Sequence, residues 1–439
     1  MSGRDDVSTV TTRRLLTLSA SAFAVLAAEP LYLLVDTAVV GHLGSTALAS
    51  LGIGAALLGL VTLVGTFLEY GTTARAARWY GAGRRDDAVR EGVQATWLAV
   101  VVGVGVVVVT EIVAAPLTRL LAGGDGPVAH GAQIWLRIAV CGVPGVLITL
   151  AGNGWLRGVQ DTRTPVLIVL GANGLSAVAS PVLVYPLGLG LTGSAVANVA
   201  AQAVATVLFL RALTRTGVGR RPDRTVLRAE LTTGRDLFLR SAAFQAAFLT
   251  AAAVAARMGT AQLGAHQIAL QLWEFTALLL DSFAIAAQAL VGAALGGGDV
   301  DTARRTAWRV ARYGLWAGIA FGAVIAAGAL VVPPLFTGSA PVIHQAHLLW
   351  PWFAGMQPAA GVVFALDGVL IGAGDVAFLR TLTVVAAVGA FVPLDLAALH
   401  WQWGIGGVWA GLTAFVLVRL VGMLIRTSRG RWAVAGEQR

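Results

Sequence analysis

The sequence predicts an all-α polytopic membrane protein of about twelve spanning helices, arranged as two six-helix lobes related by a parallel internal repeat. Hydropathy, duplication and the spacing of arginines lead to that reading. The 439 residues are 57% hydrophobic and 12% charged, with a mean hydropathy of +0.78. Apolar runs of about 20 residues recur along the chain, each long enough to cross ~30 Å of hydrocarbon. The runs lack the two-residue alternation of a barrel strand, and lipid offers no partner for a bare backbone group, so the spans are expected to be helices.

Residues 44–90 and 259–305 align without a gap at an offset of 215 (259 less 44). Gly44/Gly259, Leu48/Leu263, Ile53/Ile268, Ala74/Ala289, Gly81/Gly296, Gly83/Gly298, Asp86/Asp301 and Arg90/Arg305 are identical. A second block matches at an offset of 214 (358 less 144), pairing Pro144/Pro358, Leu156/Leu370, Gly158/Gly372, Asp161/Asp375, Gly190/Gly404 and Gly193/Gly407. In a chain this apolar, duplicated halves point to a transporter built around a site between repeats.

All 31 basic residues are arginine, and they gather in alternate connections, for example Arg75, Arg78, Arg84, Arg85 and Arg90, then Arg211 to Arg240, then Arg304, Arg305, Arg309 and Arg312. The intervening loops, 41–47, 185–192 and 333–343, carry no basic residue. By the positive-inside rule both termini are cytoplasmic in an inner, plasma-type membrane, and an even number of spans per half makes the repeats parallel. The net charge of +9 is thus mainly topology and gives no support to a nucleic-acid partner. Arg13 and Arg14 ahead of an apolar run invite comparison with a signal peptide, but the run resumes after Glu29-Pro30 and reaches Val40, as a span would. Cys141, the single cysteine, excludes an intramolecular disulfide and is expected to be a small buried residue. There is no nucleotide loop, metal-ligand spacing or nucleophile–base pair, so the chain does not read as an enzyme.

The expected organisation is a cytoplasmic N-terminal tail (1–11), a first lobe (12–213), a basic linker (214–232) followed by a short surface helix, a second lobe (233–427) and a cytoplasmic tail (428–439). Trp350, Trp352, Trp401 and Trp403 lie beside expected outer loops and read as interfacial anchors.

Two segments carry a family resemblance. Val35-Asp36-Thr37-Ala38-Val39-Val40-Gly41-His42-Leu43-Gly44 and Leu156-Arg157-Gly158-Val159-Gln160-Asp161-Thr162-Arg163-Thr164-Pro165 resemble the first-helix and fourth-loop signatures of the multidrug and toxic compound extrusion (MATE) family. The paired segments 367–375 and 281–292 resemble its DinF-like branch. The resemblance covers nearly the whole chain. It implies two six-helix lobes around a V-shaped central cleft, and proton- or sodium-driven export of bulky, often cationic compounds by alternating access. It further implies no cofactor beyond an ion gradient, small organic molecules and the bilayer as partners, and a monomer.

Asp36 is the expected proton-coupling residue. A carboxylate near a helix centre costs about 2.5–3.5 kcal/mol on insertion scales, so a spanning helix keeps one only if it is paired, protonated or useful. Pro30, less than two turns before it, removes a backbone hydrogen bond and is the expected hinge of this helix. Archaeal members of the family place a second acid on the fifth helix, where this chain reads Ser176-Ala177-Val178-Ala179-Ser180-Pro181. Asn173, Ser176 and Ser180 still share one face, able to bond Asp36 or a ligand, and Tyr32 and Asn153 join them as expected cavity-lining residues. With the second acid missing, a sodium site here is disfavoured, since a hard cation wants several oxygen ligands. In the second lobe Gln267, Gln271, Glu274, Asp281 and Gln288 fall on one stripe of the eighth helix. Glu274, Asp281 and Asp367, the last standing opposite Asn153 in the repeat, are candidates for secondary coupling, and the glutamines for cavity lining or interhelical bonding. Thr62, Thr66, Glu69 and Thr73 make a smaller stripe on the second helix, and Glu29 and Glu69 are each candidates for pairing with a nearby arginine. A lipid-linked oligosaccharide flippase is the alternative within the wider superfamily, but it would want a cationic cavity, and the expected mid-membrane positions are mostly acidic or neutral.

Overall fold

The computed structural model describes residues 12–219 and 221–436. The expected tails at 1–11 and 437–439, and Arg220 of the linker, lie outside the described residues. The chain forms α1 (Thr12–Gly41), α2 (Ser45–Gly81), α3 (Arg85–Ala122), α4 (Pro127–Val140), α5 (Val143–Gly158), α6 (Arg163–Val184) and α7 (Leu191–Thr214). After the linker come α8 (Arg224–Met258), α9 (Thr260–Gly296), α10 (Val300–Ala327), the short α11 (Val332–Phe336), α12 (Ala340–Gly372) and α13 (Val376–Ala386). A π-helical turn (Ala387–Phe391) leads into α14 (Val392–His400), and α15 (Gly404–Ser428) closes the order. No strand occurs among the described residues. Among the described residues ten helices are long and apolar enough to cross a membrane, the α4/α5 pair, bent by 48°, makes an eleventh, and α2 carries a shorter apolar stretch over Ser45–Leu60.

The helices group into two compact units, one of Ala24–Gly234 and one of Arg235–Arg439 with the start of α1 up to Phe23. In the first, α2 packs on α3, α4 and α5, and α7 on α4, α5 and α6. In the second, α12 packs on α9, α10 and α15, and α14 lies against α15. The sequence repeat is reproduced element by element: α2 and α9 begin at Ser45 and Thr260 and end at Gly81 and Gly296. Gly44 and Gly259 open them at φ 115° and 142°, and Gly83 and Gly298 follow them at φ 78° and 81°, left-handed positions where a side chain would be strained.

Bare backbone contact sets the main helix crossing in each unit. A methyl group built on Gly154 of α5 would collide with the Glu69 carbonyl of α2, and one on Gly368 of α12 would collide with the Ala284 carbonyl of α9. Gly372 meets the Gln288 carbonyl in the same way, and Gly158 lies tight against the Ala76 methyl and the Thr73 carbonyl. Glu69 and Thr73 shifted by 215 are Ala284 and Gln288, so one crossing is made twice. Gly103 and Gly318 repeat the device, with a Cβ falling 2.6 Å from Pro144 Cα and 2.8 Å from Pro358 Cα. Small residues let helices approach closely where lipid gives apolar side chains no reason to associate.

Several expectations are corrected. Trp350 is no interfacial anchor: it is 2% exposed, donates from Nε1 to the Ile325 carbonyl at 2.6 Å and packs on Phe353. Trp352, Trp401 and Trp403 are exposed, the last two stacked at 5.4 Å. Cys141 is exposed, because it caps α4 at the bend into α5 and its Sγ donates to the Arg137 carbonyl. No separate surface helix follows the linker, since α8 runs unbroken from Arg224 to Met258. Residues 429–436 do not trail away: Trp432 is buried and donates to the Thr427 carbonyl, and the Gly436 amide bonds to Leu295 of α9. The linker is held as well, Gln94 accepting from the Asp223 amide and donating to the Arg221 carbonyl at 3.0 Å.

Replacing Gly368 by alanine is expected to cost about 1–3 kcal/mol, because backbone of α9 must move. Alanine at Gly171, which meets nothing within 4 Å, is expected to be neutral or to stabilise by up to about 1 kcal/mol; thermal unfolding in detergent distinguishes the two. At the α10 N-terminus, the Thr302 hydroxyl (2.6 Å) and amide (2.8 Å) both donate to Asp299 and hold its carboxyl below the usual range. A depressed folded pKa makes this contribution complete above the unfolded value of about 3.9 and lost as pH falls through the folded one. Asp299→Ala is expected to cost about 1 kcal/mol at neutral pH, a difference from wild type that vanishes in strong acid when unfolding is followed against pH.

Candidate functional site

Asp36 lies five residues before the end of α1 and is 1% exposed. Its Oδ1 accepts from the Ser180 hydroxyl of α6 and its Oδ2 from the Ser194 hydroxyl of α7, both at 2.7 Å. Ser194 in turn accepts from Trp135 Nε1 of α4 at 3.2 Å. Four helices thus converge on one carboxylate. Among the described residues it has no ion-pair partner. Hydrogen bonds to a charged group contribute about 1.5–3 kcal/mol each, enough to offset much of the cost of burial without a counter-charge.

Local sequence explains the convergence. Gly193 backs onto Leu183, where a Cβ would fall 2.8 Å from backbone carbon, so α7 approaches α6 closely enough for Ser194 to reach beside Ser180. Gly54 leaves room for the Trp135 ring, which a Cβ would meet at 2.5 Å. The Tyr185 hydroxyl donates to the Val39 carbonyl at 2.6 Å, tying the end of α6 to α1. α1 is helical on both sides of Pro30, so the expected hinge is a position that lacks one backbone hydrogen bond rather than a break in the helix.

Along α1, Glu29, Tyr32 and Asp36 stand at i, i+3 and i+7 and so share a face. Tyr32 is buried beside Ser176, Asn198 and Asp36, and its hydroxyl and that of Ser176 make no hydrogen bond of standard geometry. A cavity of about 140 Å³ is lined by Glu29, Glu69, Asn153, Asn173, Asn198 and Gln202, with Val25, Leu58 and Val146 among its apolar walls; Tyr32, Ser176 and Ser180, expected there, are not part of its lining. Asn153 leaves Oδ1 unpartnered there, while Asn173 turns its amide to the Val169 carbonyl at 2.9 Å. Glu69 forms a buried ion pair with Arg157, and the Thr73 hydroxyl donates to the Glu69 carbonyl. The side chains of Thr62 and Thr66 lie outside the described residues.

The second unit is built differently. Asp367 of α12 does not line an open stripe with its neighbours on α9; its Oδ2 accepts from Arg240 of α8 at 2.7 Å and Arg419 of α15 at 2.6 Å. Arg419 lies over the rings of Phe244 and Phe415, at 4.5 and 5.7 Å, which favours the surplus positive charge. Arg157, Arg240 and Arg419 are each little exposed and each held against an acid. On the α9 stripe Gln267, Gln271 and Glu274 are exposed and Asp281 half-buried, whereas Gln288 is buried at the Gly372 crossing.

Sequence reasoning found Asp36 and Ser180 but missed Ser194, Trp135 and Arg419. Ser194 follows the repeated Gly193 directly, a signal that was available; nothing local marks Trp135 or Arg419.

A family model described as MatE matches residues 21–182 and 237–396. The chain belongs to the multidrug and toxic compound extrusion family. It is 32% identical to Protein DETOXIFICATION 44, chloroplastic, of Arabidopsis thaliana, over 95% of this chain and 83% of that protein. It is 31% identical to DNA damage-inducible protein F of Escherichia coli (strain K12), over 89% of this chain and 86% of that one, which places it near the DinF-like members of the MATE family. The fold matches the crystal structure of a MATE protein in the bent conformation with a TM-score of 0.88, covering 97% of each chain at 22% identity. Its relatives are membrane transporters of the multidrug and toxin efflux type, not enzymes.

Asp367→Asn removes the acid shared by Arg240 and the buried Arg419 and is expected to cost about 3–5 kcal/mol, since breaking a buried ionic group strands its partners. Asp36→Asn, which keeps hydrogen-bonding capacity and strands no charge, is expected to unfold within a few degrees of wild type; melting of both variants in detergent checks the contrast.

Proposed function

We propose that this MATE-family transporter exports amphipathic, cationic organic molecules in exchange for protons, with Asp36 as the coupling group. One observation carries the reading: a carboxylate buried in the membrane whose two oxygens are held by hydroxyls from two other helices, with no counter-charge. Ionised, Asp36 binds both hydroxyls and ties α1 to α6 and α7. Protonated, it loses the charge that made those bonds strong, and α1 is released to bend at Pro30. Coupling requires that substrate and proton favour different members of that pair of states.

Proton rather than sodium fits the donor set. The hydroxyl hydrogens of Ser180 and Ser194 point at the carboxylate, leaving no bare oxygens grouped for a hard cation. The cavity at Asn153 combines apolar walls with amides and the carboxyls of Glu29 and Glu69, a lining that suits the charged end of a cationic ligand. Alternate arginine clusters support cytoplasmic termini in a bacterial-type plasma membrane, and a complete pair of lobes in one chain supports action as a monomer.

The test is uptake of a fluorescent cation by proteoliposomes under an imposed proton gradient and then an imposed sodium gradient. Wild type is expected to respond to the first only, and Asp36→Asn to fall to the level of protein-free liposomes. Undiminished proton-driven uptake by Asp36→Asn would remove Asp36 from the mechanism.

A further inference from the structure

The repeat places a second acid where the first unit has Ser180. Asp161 and Asp375, ahead of the fifth helix of each repeat, are 214 apart, as are Gly193 and Gly407 on the helix that follows. Between them α6 is a continuous α-helix, whereas its counterpart is interrupted by the π-helical turn Ala387–Phe391. Such a turn adds one residue to a helix, so the match beyond it within α14 moves to 215. At 215, Ser180 maps onto Asp395. The counterparts of Asp36 and Ser194 are Ala251 and Val408, so the second unit keeps the position but moves the acid from the first helix of the repeat to the fifth and strips away its donors.

Asp395 is 0% exposed, and neither of its oxygens has a hydrogen-bond partner. It faces Gly411 of α15, where a Cβ would lie 2.8 Å from Oδ1, between Leu394 and Phe391. The charges on the elements packed around it are committed elsewhere. On α15, Arg419 is held by Asp367 and stands eight residues from Gly411, about 12 Å of helix, and Arg426 pairs with Asp375. On α13, Arg380 pairs with Asp236; on α8, Arg240 pairs with Asp367, and Arg257 lies in the last turn. The π-helical turn has no charge, and His400 on α14 itself is exposed. A bare carboxylate cannot be kept in such surroundings, whereas a neutral carboxylic acid can. π-Helical turns within α-helices frequently mark functional sites.

We propose that Asp395 is a second proton-carrying site of this transporter, occupying in the second unit the place that the Asp36 centre holds in the first. In the packed state described here it holds its proton, and it gives the proton up when α14 and α15 part enough to admit water. The proposal rests on the proton-coupled reading above and extends it to two protons per cycle.

The experiment has two arms on the full-length protein. Infrared difference spectra between acid and alkaline buffers are expected to show a protonated-carboxyl C=O component that is common to wild type and Asp36→Asn and is lost in Asp395→Asn, which keeps the bands of the other acids. In proteoliposomes with the membrane potential clamped, a tenfold proton gradient is expected to sustain about a hundredfold substrate gradient in wild type and about tenfold in Asp395→Asn. Asp395→Ser, which installs the first unit's own residue, guards against a variant that fails to fold and is expected to behave as Asp395→Asn does. Wild-type and Asp395→Asn spectra that coincide in the carboxyl region, or a wild-type substrate gradient in both Asp395 variants, overturn the proposal. If wild type itself ignores the proton gradient, the reading of the Asp36 centre fails and takes the second proton with it, while the infrared arm still reports whether Asp395 is protonated.

Discussion

Two helices meeting backbone to backbone, once in each unit, carry the rest of this structure. Where Gly154 and Gly158 of α5 press on Glu69 and Thr73 of α2, and Gly368 and Gly372 of α12 press on Ala284 and Gln288 of α9, no side chain separates the chains. In lipid such contact replaces the hydrophobic drive available in water, because dispersion between closely apposed backbones is among the few gains that burial there still offers. The geometry that results decides what else can happen. It buries Glu69 against Arg157, one turn beyond Gly154, and it lines the adjoining cavity with Asn153.

On this repeated scaffold the charges are deliberately unlike. Glu69 becomes Ala284, Asp36 becomes Ala251, and Asn153 becomes Asp367 when each is shifted by its repeat offset. The first unit keeps its acid among hydroxyls. The second locks Asp367 between two arginines whose removal from water is repaid only while all three remain together. An acid surrounded by neutral donors can change its charge at modest cost; an acid shared by two cations cannot. The physical distinction between a moving part and a fastening is drawn in those partners.

The nature of the spans, the duplication and the candidacy of Asp36 were legible because each follows from a local property: run length, identity at a constant offset, and the cost of a lone acid in hydrocarbon. Ser180 was legible too, lying on one face with Asn173 and Ser176. Trp135 and Arg419 were not, since a tryptophan in an apolar run is indistinguishable from core, and an arginine eight residues past a small-residue patch declares nothing until Asp367 and Phe244 are seen around it. Trp350 misled for the related reason that indole serves equally at an interface and in a core. Asp395 was hidden by a register shift: at the uniform offset Ser180 falls on Leu394, and only the π-helical turn moves the match by one residue.

Sequence alone determined that this chain spans a membrane as two copies of one helical unit, and that its first copy bears an acid which must be paired, protonated or useful. Those conclusions rest on hydropathy and periodicity, which are sums over neighbours along the chain. Tertiary structure decided which of the three fates each acid meets, giving Asp36 hydroxyls, Asp367 arginines and Asp395 nothing. Partners of a buried charge come from helices more than fifty residues away in sequence, and only the close packing of those helices brings them within hydrogen-bonding distance.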